Sequence, residues 1–311
     1  MKFRKLGKNG PSVSLVGLGC NNFGGRIDEA ASRVVIDRAI EKGITLFDTA
    51  DIYGNKGGSE EILGRVLGTR RKDIVLATKF GGSMDDAGTL KGASAAYVER
   101  AAEASLRRLQ TDYIDLYQIH MPDETVPLEE TLRALDNLVE SGKVRYVGCS
   151  NHPAWKVVDA DWISAIQGIA SFVSAQDEYS LLKREAESEL IPALRAKSLG
   201  LLPYFPLASG MLSGKYQRGK DLPAGTRYAG SPGLVDRYMT EENWDRVERL
   251  TAFAGERGHS ILDLAFAWLA AQEPVSSVIA GATKPEQIDQ NVAAGEWVLS
   301  SDEVAGVAGL L

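Results

Sequence analysis

The chain has 311 residues, 44% of them hydrophobic and 25% charged, and its 42 acidic and 35 basic side chains leave a formal net charge of −7. This composition excludes disordered, collagenous and disulfide-stapled classes, and the length suffices to bury an extensive core. Cys20, Cys149, His120, His152 and His259 are too few and too scattered for a zinc cage, and the acidic balance speaks against a general nucleic-acid binder, so neither a metal nor a nucleic-acid partner is expected. No apolar run approaches the roughly 18 residues of a membrane span, and Met1-Lys2-Phe3-Arg4-Lys5 leads into polar residues instead of a signal core. A cytoplasmic protein with reduced thiols and no membrane contact is the expectation.

In chain order, Phe3 to Leu6, then Gly7-Lys8-Asn9-Gly10, then Val13 to Leu15 predicts a β-hairpin, because Asn-Gly is a strong tight-turn signal. Gly17-Leu18-Gly19-Cys20-Asn21-Asn22 begins like the G-x-G-x-x-G dinucleotide fingerprint. Asn22 holds the third glycine position, however, and helical periodicity starts only near Asp28, so the segment reads as a tight turn leaving a strand.

From there the chain alternates. Gly43, Gly142 and Gly200 each close a helical stretch and are followed by a short apolar run, the pattern of a helix C-terminus leading into a buried parallel strand. Apolar runs end near Gly19, Asp48, Lys79, His120, Ser150, Gln176, Phe205 and Ala280, and helix-period segments such as Ala30 to Glu41, Ala95 to Leu109 and Leu128 to Val139 lie between them. Eight βα units in a chain of this length fit a (β/α)8 barrel, which takes about 250 residues plus insertions. The expected architecture is one domain over residues 1–311, with the hairpin closing the barrel floor and the Gly- and Pro-rich interval 206–241 forming an enlarged loop after the seventh barrel strand.

In such a barrel the chemistry sits at the C-terminal strand ends. Asp48, Lys79 and His120 end three consecutive runs, and Tyr53 follows Asp48 in the loop Thr49-Ala50-Asp51-Ile52-Tyr53-Gly54. A buried lysine needs a partner, which Asp48 supplies on the neighbouring strand. One ammonium at about 4 Å is worth roughly 4 kcal/mol at an effective dielectric of about 20, enough at most to draw a tyrosine from about 10 toward neutrality. Tyr53 would then give a proton to a developing alkoxide while His120 donates a second hydrogen bond to the same oxygen. Singly, a loop tyrosine is packing, an aspartate before threonine a cap, and a histidine after a strand structural; the arrangement together points to acid catalysis.

The sequence resembles the aldo-keto reductases from Gly17 to Asn291. The resemblance is carried by Phe47-Asp48-Thr49-Ala50-Asp51-Ile52-Tyr53-Gly54 with Ser59-Glu60-Glu61-Ile62-Leu63-Gly64, by Ala77-Thr78-Lys79, by Asp115-Leu116-Tyr117-Gln118-Ile119-His120, by Gly148-Cys149-Ser150-Asn151, by Gln176-Asp177-Glu178-Tyr179-Ser180-Leu181-Leu182, and by Tyr204-Phe205-Pro206-Leu207-Ala208-Ser209-Gly210. In style it is similar to the bacterial long-chain branch that includes the potassium-channel β-subunits. The resemblance implies an oxidoreductase that uses NADPH without a Rossmann fold, with Tyr53 as general acid, Lys79 and Asp48 tuning it, and His120 orienting the carbonyl.

It further implies that Ser150, Asn151 and Gln176 hold the carboxamide of the cofactor and that Tyr204 stacks on its nicotinamide. Leu207, Ser209, Gly210, Leu212 and Lys215 would surround the pyrophosphate, and Gly281, Thr283, Gln287 and Asn291 the adenosine and its 2′-phosphate. Gly19, Cys20, Asn21, Asp48, Phe205 and Pro206 complete the cofactor's surroundings. Many relatives carry arginine where Gln287 stands, which leaves Lys284 as a substitute cation and NADH as an alternative cofactor.

Asn21, Tyr53, Phe80, His120 and Met121 form the expected substrate pocket, moderately apolar and suited to a small aldehyde, ketone or alcohol. Trp155 and Tyr228 are further candidates for its walls, and Arg218, Arg227 and Arg237 are cations of the long loop. The same residues also serve two other readings, a redox-sensing regulatory subunit and an enzyme working mainly as an alcohol or sugar dehydrogenase.

Overall fold

A computed structural model describes residues 1–311. Strand β1 (Phe3–Lys5) pairs antiparallel with β2 (Ser12–Ser14). The expected hairpin forms, but not through a tight turn at Asn9-Gly10. The chain instead loops from Leu6 to Pro11, whose backbone groups bond at 2.9 Å, and Gly7 takes the left-handed conformation while Asn9 does not. Docking decides this: a Cβ on Gly7 would lie 2.5 Å from the Val173 carbonyl and 2.9 Å from the Gly200 nitrogen, so the loop is shaped by the barrel beneath it.

Eight parallel strands follow: β3 (Val16–Gly19), β4 (Leu46–Asp48), β5 (Val75–Phe80), β6 (Ile114–Ile119), β7 (Val144–Ser150), β8 (Phe172–Glu178), β9 (Gly200–Tyr204) and β10 (Val278–Gly281). Each pairs with the next, and β10 pairs with β3. The remaining seam closes just before β10, where Leu201 bridges Val275 and the Ser276 amide bonds to the Leu201 carbonyl at 3.0 Å. This is the (β/α)8 barrel that the alternating pattern predicts, with the hairpin at its lower end. Leu6 and Val13 of the hairpin pack with the inward-facing Leu46, Ala77, Leu116, Val173, Leu202 and Ile279, so the barrel interior is filled and not a pore.

Helices α1 (Glu29–Glu41), α2 (Tyr53–Leu67), α3 (Ala95–Leu109), α4 (Leu128–Glu140), α5 (Ala154–Gln167), α6 (Leu190–Lys197), α9 (Ile261–Ala271) and α10 (Pro285–Ala294) belong to the outer layer, and the larger apolar core lies between them and the strands. Asp28 starts α1 by accepting the Ala31 amide at 2.9 Å, and Ser260 with Asp263 caps α9 reciprocally. The hairpin is tied to late parts of the chain: the Arg4 guanidinium donates to the carbonyls of Val275 and Ala270 at 2.8 and 2.6 Å, and Lys2 Nζ to those of Gly295 and Glu296 at 3.2 and 2.9 Å.

The long interval after β9 carries a turn over Ala208–Ser213, then α7 (Pro232–Tyr238), before α8 (Glu241–Gly255) rejoins the outer layer; α11 (Ser301–Ala308) ends the chain. Arg237 and Tyr238 of α7 both donate to Glu178 at the end of β8, which pins one side of the interval to the barrel mouth. No helix is long and apolar enough to cross a membrane.

Candidate active site

Side chains alternate along a strand, so in β5 Ala77 and Lys79 face the barrel interior while Thr78 and Phe80 face the helices. Lys79 is fully buried at the mouth. Its Nζ donates to Asp48 Oδ2 at 2.7 Å and to the Thr49 carbonyl at 2.8 Å. The other Asp48 oxygen accepts from Gln176 Nε2 at 2.9 Å and Gln118 Nε2 at 3.3 Å. A buried ion pair is tolerable only when its remaining valences are met, and here β4, β5, β6 and β8 together meet them.

Tyr53 reaches this pair through an unusual start to α2. Gly54, Asn55 and Lys56 are left-handed, with φ of 67°, 61° and 67°, and Gly57 follows at 126° before the regular helix begins. Gly54 has no room for a side chain, since a Cβ would stand 2.5 Å from both the Phe23 carbonyl and the Ser59 nitrogen. The turn holds the Tyr53 ring 5.1 Å from Lys79 Nζ and edge-on to His120, with ring centroids 5.7 Å apart. His120 is set by its own amide, which bonds to the Phe80 carbonyl at 2.8 Å.

The electrostatics correct one expectation. Burial pushes the Tyr53 phenol above its usual range; the Lys79 ammonium pulls it down, but Asp48 opposes that pull. Desolvation of the phenolate therefore outweighs the Lys79 ammonium. Lys79 loses affinity for its proton through burial, yet the attraction of Asp48 and Tyr53 leaves it above the ordinary lysine value. Burial and then the Lys79 charge lower His120 to about 3. The site thus presents a neutral phenol and a neutral imidazole beside a charged lysine, two groups able to donate hydrogen bonds into the cavity.

These groups open into a cavity of about 1080 Å³. Of the predicted residues it gathers Gly19, Cys20, Asn21, Asp48, Tyr53, His120 and Met121 with Ser150, Asn151, Gln176 and Tyr204, and it continues along Phe205, Pro206, Leu207, Ser209, Gly210 and Lys215 to Gly281, Thr283, Gln287 and Asn291. Asn151, left-handed at φ 59°, donates through Nδ2 to the His120 carbonyl and to Ser150 Oγ, both at 2.9 Å, and accepts from the Tyr204 hydroxyl at 2.8 Å. Ser209 is also left-handed, and its buried hydroxyl has no protein partner. At the start of α10, Gln287 Oε1 accepts from the Thr283 amide at 2.7 Å, the Thr283 hydroxyl at 3.2 Å and the Lys284 amide at 3.1 Å.

Four expected pocket or cofactor residues lie elsewhere. Phe80 faces outward and stacks on Tyr117 with centroids 4.7 Å apart, as the alternation from Lys79 requires. Leu212 is fully buried in the core beside the loop. Tyr228 is buried too, its hydroxyl donating to the Ala208 carbonyl at 2.5 Å, and Trp155 stands exposed on α5. Arg218 is engaged with Asp245 and Glu241, and Arg237 with Glu178, so of the three loop arginines Arg227 alone lines the cavity.

Of the opposite rim, sequence reasoning named only Arg227. Arg26 donates to the Gly225 carbonyl at 3.2 Å and Arg227 to Asn22 Oδ1 at 3.3 Å, which carries segment 224–227 across the cavity. Glu286 and Gln290 also line it. Missed as well was a buried polar group behind the Tyr53 turn. Glu60 accepts from Thr78 Oγ1 at 2.5 Å and Arg108 Nε at 2.6 Å, while neither oxygen of the adjacent buried Asp51 has a partner; burial first and Glu60 second raise Asp51 to about 7. The outward-facing position of Thr78 was the available signal for it.

The model of the Aldo/keto reductase family matches residues 15–311. Among curated relatives, a "Probable voltage-gated potassium channel subunit beta" of Oryza sativa subsp. japonica is 36% identical over 94% of this chain and 91% of the relative. An "Uncharacterized oxidoreductase YrpG" of Bacillus subtilis (strain 168) is 36% identical over 97% and 93%, and a second "Probable voltage-gated potassium channel subunit beta", of Arabidopsis thaliana, 35% identical over 94% and 91%. With a barrel of the right order, a family match over nearly its whole length and relatives this close, the chain belongs to the aldo/keto reductase family.

Proposed function

We propose that this protein is a reductase of small aldehydes or ketones that uses NADPH, with NADH as an alternative, and has Tyr53 as its proton donor. The observation that carries the reading is the pairing of two neutral donors, Tyr53 and His120, above an ammonium already committed to Asp48. The cavity suits a long anionic cofactor: it is lined by an unpartnered buried hydroxyl at Ser209, the Lys215 cation, side-chain amides at Asn151, Gln176 and Asn291, and the aromatic Tyr204. Ser150, Asn151 and Gln176 would hold the carboxamide, Leu207, Ser209, Gly210 and Lys215 the pyrophosphate, and Gly281, Thr283, Gln287 and Asn291 the adenosine.

When bound, a reduced nicotinamide supplies the hydride for the carbonyl carbon. Tyr53 gives its phenolic proton to the carbonyl oxygen as negative charge develops there. Lys79 then stabilises the phenolate left behind, which is worth most in a site withdrawn from water. His120, neutral because burial and Lys79 disfavour its imidazolium, donates to the same oxygen and fixes its direction. Asp48 keeps Lys79 in place through their 2.7 Å ion pair. Run in reverse, with Tyr53 as base, the same groups oxidise an alcohol.

Consumption of NADPH by the purified protein with an activated aromatic aldehyde, compared with Tyr53→Phe, tests the reading. Loss of turnover with retained cofactor binding supports it, and near-normal turnover in Tyr53→Phe refutes the assigned acid. Two relatives are named as probable potassium-channel β-subunits, and a second reading is therefore a channel-type subunit, which would sense the cofactor's redox state and regulate a partner. Tight cofactor retention with turnover far below about 1 s⁻¹ across a carbonyl panel would select it.

A further inference from the structure

We propose that the outer face of α5 joins two copies of this chain, packed antiparallel across a two-fold axis that passes the helix between Ala160 and Asp161. Trp155, Trp162 and Ile166 are 61, 57 and 81% exposed. With Asp159 they are spaced by four, three and four residues along α5, which places all four side chains within about 60° of arc on one face of the helix. None of them lines the cavity, so the reaction site does not account for them.

Single apolar side chains in water are ordinary, but a contiguous stripe of this size marks a contact surface. The three exposures leave on the order of 450 Å² of side chain open. That is more than half of the roughly 800 Å² that each partner gives to a stable interface. Helices α4 and α6 flank α5 on its two sides and supply the surface for the remaining, more polar rim. Tryptophan at the centre of such a patch is the side chain that gains most from exclusion of water.

The occupant that matches the stripe is the stripe itself. Its spacing reads the same from either end, so an antiparallel second copy sets Trp155 on Ile166 and Asp159 on Trp162, each twice over. Charge selects this orientation. Asp159 is the only charged side chain among the exposed residues of α5 and forms no ion pair, whereas Lys156 and Asp161 of the same helix are paired with Glu124 and Lys197 at 2.7 and 2.9 Å. Lys197 Nζ also lies 4.2 Å from the centre of the Trp162 ring. Antiparallel packing therefore brings each Asp159 to the Trp162 and Lys197 of the other copy, while parallel packing would press the two Asp159 carboxylates together. An aspartate at the middle of the stripe, on a chain of net charge −7, is a poor match for an anionic lipid surface.

Sedimentation equilibrium of the full chain between about 1 and about 100 µM tests the contact. The parent is expected to self-associate in this range, and Trp162→Glu to weaken that association by at least about thirtyfold while keeping its far-UV circular dichroism. A cross-link tests the register. Copies carrying Trp155→Cys are mixed with copies carrying Ile166→Cys and oxidised; Cys20 and Cys149 are buried and take no part. The mixture should yield a covalent dimer, and either variant alone should yield little, because its two engineered thiols stand about 16 Å apart along the paired helices. A parent that stays monomeric to about 100 µM overturns the proposal, whether the face then stays bare or takes a foreign protein or lipid vesicles. So does self-association that Trp162→Glu leaves unchanged, or cross-linking as strong in one variant alone as in the mixture. Should Trp162→Glu fail to fold, the cysteine pair decides.

Discussion

The barrel mouth and the α10 rim are both polar, yet they satisfy their polar groups in opposite ways. At the mouth, Lys79 bonds to Asp48 across 31 residues of sequence and Gln176 to Asp48 across 128. At the rim, Thr283 and Lys284 are satisfied by Gln287, four and three residues away. The long-range set exists only when the barrel is closed, so its geometry is as rigid as the sheet. The local set belongs to one helix end and can reopen without disturbing the fold. Chemistry that needs a fixed proton donor belongs in the first region, and adaptable binding in the second.

Breaking the mouth should cost most. Tyr53→Phe is expected to lower kcat by about 10²–10⁴ while the cofactor dissociation constant changes by less than about threefold, as single-turnover kinetics and fluorescence titration would show. Lys79→Met leaves the Asp48 carboxylate buried without its cation, and urea unfolding should register a loss of about 3–5 kcal/mol. If that variant unfolds at the parent midpoint, the mouth is not the tightly coupled region described above.

Asp51 sharpens the contrast through pH. Its carboxyl is raised from 3.8 to about 7 in the folded chain, so the folded state takes up this proton before the unfolded state does. Stability should therefore fall as pH rises from about 4 to about 7, by up to about 4 kcal/mol from this group. His120, lowered from 6.5 to about 3, acts in the opposite sense, its contribution fading as pH falls below 6.5. The difference between parent and Asp51→Asn isolates the first effect: the variant should gain on the parent up to about pH 7 and hold its advantage above. A constant difference across that range would show that Asp51 does not titrate there. Smallest of all, Lys284→Ala at the rim should shift stability by no more than about 0.5 kcal/mol in the same urea assay.

Much of this organisation is legible in the sequence for a physical reason. Parallel strands buried on both faces read as unbroken apolar runs, and these runs place all eight barrel strands; Gly43 and Gly142 follow helix ends as expected, whereas Ser198 closes α6 and Gly200 instead opens β9. Asp48, Lys79 and His120 are visible because they interrupt those runs at their ends. Phe80 lies outside the cavity because the strand's alternation past the inward-facing Lys79 turns it toward the helices, where it stacks on Tyr117. The direction of the Tyr53 shift was missed because the field of an ammonium can be estimated from spacing, whereas desolvation depends on everything packed around the ring. Arg26, Glu286 and Ala224-Gly225-Thr226 escape notice because loops distant in sequence converge there, with no periodicity to announce it. The Asn9-Gly10 turn failed for a related reason, since a long-range contact at Gly7 overrode a local preference.

The hairpin that fills the barrel floor also bears on how the chain is made. Its Arg4 and Lys2 find their acceptors on Ala270, Val275, Gly295 and Glu296. During synthesis β1 and β2 can pair at once, but Lys2 and Arg4 wait for nearly the whole chain before these acceptors appear. Closure of the floor is therefore a late event set by contacts between the two extremes of the chain, and the half-built barrel, open at its base, is the state in which a chaperone has the most to protect.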